Sequence, residues 1–96
     1  MKAQLVLSDK TVFEDGLIIE LRIWSVPAPV RPSAHGYKYS LFFGRPGERL
    51  VAFDNERGKG DHKHVLGTET PYKFISIARL LADFREAVEA IKGTKL

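Results

Sequence analysis

The 96-residue chain predicts an α+β fold, with an antiparallel sheet of about five to six strands and one C-terminal amphipathic helix packed on one face. Three observations predict it. In "LIIELRIWSV", residues 17–26, the odd positions Leu17, Ile19, Leu21 and Ile23 are all apolar, while the even positions hold Ile18, Glu20, Arg22 and Trp24. A period of two belongs to a strand with one apolar and one mixed face, so the sheet should cover a core on one side only. Ile77, Leu80, Leu81, Phe84, Val88 and Ile91 instead recur at helical spacing and form one stripe. Between these regions, glycine-rich breaks at "GRPGE" and "ERGKG" separate short apolar runs, the mark of successive hairpins.

Taken in order, "AQLVL" (residues 3–7) reads as a short strand, "SDK" as a turn, and Thr11–Phe13 as the start of a second short strand that "EDG" breaks. The main strand over 17–26 follows. "VPAPVRPSAHG", 26–36, holds three prolines, which fix φ and remove backbone donors, so it reads as a long loop and a candidate flap or contact surface. "YKYSLFF" and "RLVAFDN" return as strands, and "DHKHVLG" is the partner strand across the "ERGKG" tip. "TETPYKF" receives no element. Ser76 is placed to cap the helix over Ile77–Lys92, and Gly93 to stop it.

The composition bounds the function. Residues 1–96 make one domain, and a chain this small leaves room for a homodimer or another partner to complete its burial. With no cysteine there is no disulfide framework, thiolate chemistry or zinc–sulfur site. The net charge of +3 and pI near 9.3 are compatible with an anionic partner such as RNA without demanding one. No apolar run is long enough for a membrane span or a secretory signal, so the expectation is a cytoplasmic protein with no membrane role.

The densest chemistry lies in "FDNERGKGDHKHVLG", residues 53–67. On a strand His62 and His64 project to one face, and Asp61 and Lys63 to the other. Two neighbouring imidazoles suit general acid–base cleavage of a phosphodiester, with Lys59 or Arg57 stabilising the charged transition state. They equally suit a metal, with Asp54 or Asp61 as third ligand. Gly58 and Gly60 permit positive φ at the tip. Trp24 and Tyr72 are available to stack on a base or orient a phosphate, and Arg22 and Asn55 to bind substrate. The bland alternatives are a solvated polar tip, a surface role for His35, and packing roles for Trp24, Tyr72 and Phe74.

These residues also carry a resemblance. "FDNERGKGDHKH", followed by "PYKF" and "LLADFREAVE" and preceded by "GLIIELRIW", the proline loop and "YKYSLFF", resembles the TumE family of small toxins from prokaryotic toxin–antitoxin modules. The pattern falls on Asp54, Asn55, Lys59, Gly60, His62 and His64, with Tyr72 beyond. Phe53 departs from the tyrosine more often found at its position. The resemblance implies a toxin encoded beside a helix-turn-helix antitoxin, and implies no particular chemistry. From the residues, the leading expectation is a metal-independent ribonuclease needing no cofactor, with His62, His64 and Lys59 catalytic and Arg57, Asn55, Trp24, Arg22 and Tyr72 binding substrate. The alternatives are a metal-dependent nuclease or nucleotidyl-modifying toxin using His62, His64 and Asp54, and a non-catalytic docking surface.

Overall fold

The period-two segment becomes the second strand of a six-stranded antiparallel sheet in the computed structural model, which describes residues 2–96. The strands are β1 (Gln4–Val12), β2 (Ile18–Ser25), β3 (Tyr37–Arg45), β4 (Glu48–Glu56), β5 (Gly60–Val65) and β6 (Thr68–Pro71), and they lie in sequence order across the sheet. The chain closes with α1 (Ile77–Lys92), so the expected α+β architecture holds.

Two elements differ from the sequence expectation. The short strands foreseen around "SDK" are one continuous β1. Ser8, Asp9 and Lys10 pair with Arg22, Leu21 and Glu20 of β2, and ladder hydrogen bonding outweighs the local turn preference. The irregularity is a bulge between Leu5 and Leu7. "TETP", given no element, is the edge strand β6. Its two-residue turn is Leu66–Gly67, both at positive φ (49° and 85°). That geometry closes tight hairpins, but it is usually signalled by asparagine or aspartate, not leucine.

The helix covers the odd-numbered face of β2. Leu80, Phe84 and Val88 are buried against Ile19, Ile23, Tyr39, Leu41, Phe43, Val51 and Phe53. Register explains the set: Ile19, Leu21 and Ile23 stand opposite Phe43, Leu41 and Tyr39, and Leu41 stands opposite Phe53. Ser76 Oγ accepts the Arg79 backbone N–H at 3.1 Å, and Gly93, at φ 74°, returns its N–H to the Glu89 carbonyl. The opposite sheet face, with Glu20, Arg22 and Trp24, carries no helix.

Phe84 packs edge-on to Phe53 with ring centroids 5.8 Å apart. Phe84→Ala is therefore expected to cost about 3–5 kcal/mol through the cavity it opens. A urea unfolding curve would measure this, and a loss below about 1 kcal/mol would show that the helix does not seal the core.

Candidate functional site

The site is built on the β4–β5 hairpin, and strand alternation sorts its polar residues into two groups. Asn55 and Asp61 face the helix side and fasten the proline loop. Asn55 Oδ1 accepts the Tyr39 N–H at 2.9 Å, while Asn55 Nδ2 donates to the Tyr37 carbonyl at 2.8 Å and to Ser33 Oγ at 3.3 Å. Asp61 accepts from Ser33 Oγ, from His35 Nε2 at 2.7 Å and from the Tyr39 hydroxyl at 2.8 Å. Burial pushes the Asp61 carboxyl up, but these hydrogen bonds together outweigh it and hold it below the usual carboxylate range. Burial first, then the bond to Asp61, raises the Tyr39 hydroxyl far above its ordinary value.

The expected flap is thus a fastened segment. Its Arg31 carbonyl accepts the Gly58 N–H at 2.8 Å, and Pro32 lies against Gly60. Gly60 sits at φ 78°, and a Cβ there would meet Pro32 Cγ at 3.0 Å, so both conformation and space require glycine. His35, expected at the surface, is half-buried, with its ring stacked on Phe74 at 3.9 Å between centroids.

The second group lies on the uncovered face. Asp54 stands opposite His62, and Ala52 opposite His64; across the next pairing His64 meets Glu69 and His62 meets Pro71. His62 Nδ1 is 2.8 Å from the Gly60 carbonyl, and a carbonyl only accepts, so Nδ1 carries a proton. His62 Nε2 is 2.5 Å from Asp54 Oδ1, 3.7 Å from Glu69 Oε1 and 3.9 Å from Glu56 Oε1. The close contact to Asp54 lacks hydrogen-bond alignment, and both atoms are sealed from solvent without another partner. Leaving one such buried polar group unpaired costs about 1–3 kcal/mol. His64 Nε2 lies 3.3 Å from Glu69 Oε1, and the two imidazoles meet edge to face at 5.2 Å. Burial, then Arg49, pushes the His64 imidazole below its ordinary pKa. Glu69 forms an ion pair with Lys59, which lowers the Glu69 carboxyl and raises the Lys59 ammonium.

The sequence-predicted residues separate accordingly. His62, His64, Asp54 and Lys59 come together, with Lys59 reaching them through Glu69. The histidines are nearly sealed, at 3% and 8% exposed, with the Glu69 and Lys59 side chains crowding over β5, and His62 lines a small groove with Lys59, Glu69 and Pro71. Arg22 and Trp24 share the uncovered face with them, Arg22 in one cross-strand row with Ser40, Asp54 and His62. Three strand spacings put Arg22 and His62 about 14 Å apart. Arg57 is exposed at the hairpin tip. Asn55 is fully buried and its side chain is consumed by the loop, which leaves none of it for a substrate. Tyr72 lies on the helix side, its hydroxyl donating to Asp83 at 2.7 Å, away from the histidines. Glu69 was missed because it belongs to the strand that its leucine-led turn concealed; the glycine following Leu66 was the available signal.

A sequence model described as the toxin TumE matches residues 2–92. The chain belongs to the TumE toxin family. Neither curated proteins nor solved structures give a match. Among the described residues of this TumE-family toxin, no helix is long and apolar enough to cross a membrane.

Asp61→Ala should lower stability by at least about 3 kcal/mol, since it removes three hydrogen bonds to a charged acceptor, each contributing about 1.5–3 kcal/mol before the offsetting cost of burying that charge. The carboxyl is depressed in the folded state, so its contribution is complete above the unfolded value near about pH 4 and is lost as pH falls through the folded value. Urea melts of both proteins at about pH 7 and about pH 3 check this, and the gap between them must narrow at the lower pH.

Proposed function

We propose that this toxin acts on RNA, cleaving the phosphodiester backbone at the His62–His64 cluster with the strand laid across the uncovered sheet face. The observation that carries the reading is the row Arg22, Ser40, Asp54 and His62, which joins a cation to the titratable cluster on the face the helix leaves bare. Lys38 and Trp24 pair beside that row, adding a second cation and an aromatic platform. Family membership supports the toxin role and an antitoxin partner. A helix-turn-helix antitoxin, and a homodimer, belong to the proposal.

The expected product is a 2′,3′-cyclic phosphate. The 2′-hydroxyl oxygen bonds to phosphorus, the P–O5′ bond breaks, the hydroxyl proton passes to a base, and the departing 5′-oxygen takes a proton. Burial of His64 favours its neutral form, which suits a base or a ligand. Direct contact with a ribose hydroxyl is a different matter: at 3% and 8% exposure the imidazoles are better placed to hold a small group than to touch the sugar themselves.

Purified, antitoxin-free protein should cut a labelled single-stranded RNA. His64→Ala should slow cleavage by at least about a hundredfold, the low end of acid–base contributions. Trp24→Ala should instead raise KM by about tenfold, within the stacking contribution of a single base. Undiminished cleavage by His64→Ala would remove the cluster from the reaction. If no RNA is cut while the wild-type protein remains toxic in cells, the uncovered face is a docking surface.

A second expectation follows from the sheet faces. Tyr72→Phe should leave kcat and KM for RNA unchanged, because its hydroxyl bonds to Asp83 on the helix side. It should lower stability by about 1 kcal/mol, the net contribution of one hydrogen bond. A kinetic assay beside a thermal melt separates the two effects.

A further inference from the structure

Four donor side chains from three adjacent strands converge on the uncovered face: Asp54 from β4, His62 and His64 from β5, and Glu69 from β6. In neutral His62 the proton resides on Nδ1, directed at the Gly60 carbonyl, so Nε2 presents a lone pair. A ligating histidine is oriented in this way, its far N–H anchored on a backbone carbonyl. With His62 neutral, that lone pair faces Asp54 Oδ1 at 2.5 Å, where two acceptors repel unless a second imidazole proton or a metal cation supplies positive charge. Both atoms are buried and neither has a hydrogen-bond partner.

The remaining spacings fit a small cation. Donors about 2.0–2.2 Å from a tetrahedral metal stand about 3.3–3.5 Å from each other. His64 Nε2 to Glu69 Oε1 is 3.3 Å and His62 Nε2 to Glu69 Oε1 is 3.7 Å. Donor atoms of Asp54, His62 and His64 lie within 4.8 Å of one another. The Asp54 carboxylate must turn back from His62 Nε2 by about 1 Å to reach that separation, and the wider pairs in the cluster close in on a bound ion. Its side chain retains partial solvent exposure.

We infer that Asp54, His62, His64 and Glu69 form a binding site for a divalent transition-metal cation of the zinc or manganese class. Two imidazoles suit zinc best and two carboxylates also accept the harder manganese ion, whereas the set fits poorly with magnesium or calcium, which favour all-oxygen shells. Lys59, ion-paired with Glu69, then competes with the cation for that carboxylate. Once displaced, the ammonium is free beside the centre to meet a phosphate oxygen. The inference deepens the RNA-cleavage reading by naming the cofactor of the same site, and it rests on that reading only for the role of the cation.

Binding is therefore measured without RNA. Chelator-treated, dialysed full-length protein is titrated with zinc chloride, manganese chloride and magnesium chloride by calorimetry and thermal melting. Zinc or manganese should bind one per chain and raise Tm, with magnesium far weaker. Glu69→Gln and Asp54→Asn, with folding verified by circular dichroism, should each lose at least about tenfold in affinity, as changes around metal ligands do. Lys59→Gln should bind the cation more tightly than wild type. Absence of a zinc or manganese effect, equal affinity for magnesium, or unchanged affinity in both carboxylate variants would overturn the site. RNA cleavage is assayed separately: binding without cleavage keeps the site and ends the ribonuclease reading, whereas cleavage persisting in EDTA without any cation binding ends the site and keeps the ribonuclease.

Discussion

The register between β4 and β5 is the constraint on which the rest depends. Phe53 stands opposite Lys63, Asp54 opposite His62, and Asn55 opposite Asp61. The alternation that buries Phe53 under the helix also places Asn55 and Asp61 on the helix side and Asp54, His62 and His64 on the other. A slip of one residue would expose Phe53 and dissolve both polar groups together. Burial of Val51, Phe53 and their neighbours under α1 holds the register, so hydrophobic packing on one face fixes polar geometry on the other.

The two polar groups are mechanically joined through Gly60. Pro32 bears on Gly60 from the loop side, and the Gly60 carbonyl orients the His62 ring from the site side. The bonds from Ser33, His35 and Tyr39 to Asp61 hold Pro32 in place. A loop whose three prolines already limit its freedom loses less entropy when fastened, which makes it a suitable buttress. Buried hydrogen-bonded networks of this kind rigidify their surroundings, and rigidity is what a set of convergent donors requires.

Electrostatics on the uncovered face is mixed, not uniformly basic. Arg22 lies 3.9 Å from Glu20, and Lys59 is paired with Glu69. Such exposed pairs contribute little to stability and exchange partners readily, so the cations remain available to a polyanion. The proposed RNA association on this face would depend on salt through these few charges, with Glu69 turned toward the histidine cluster.

The sequence by itself determined the architecture. The alternation at 17–26 and the helical stripe from Ile77 to Ile91 are local, strongly periodic signals of burial, and both elements formed as that periodicity requires. It also placed His62 and His64 on one face and Asp61 on the other, because strand alternation is a property of the backbone alone. Only the tertiary structure decided what each polar residue does. Asn55 and Tyr72 looked available for a ligand, but Asn55 is consumed in fastening the loop and Tyr72 faces the helix. Glu69 was signalled only by the glycine after Leu66, and joined the histidines through a hairpin whose leucine-led turn is stabilised by strand pairing. A hydrogen-bond partner, unlike a period, is chosen by which strands lie side by side, and that choice is settled by burial summed over the whole sheet.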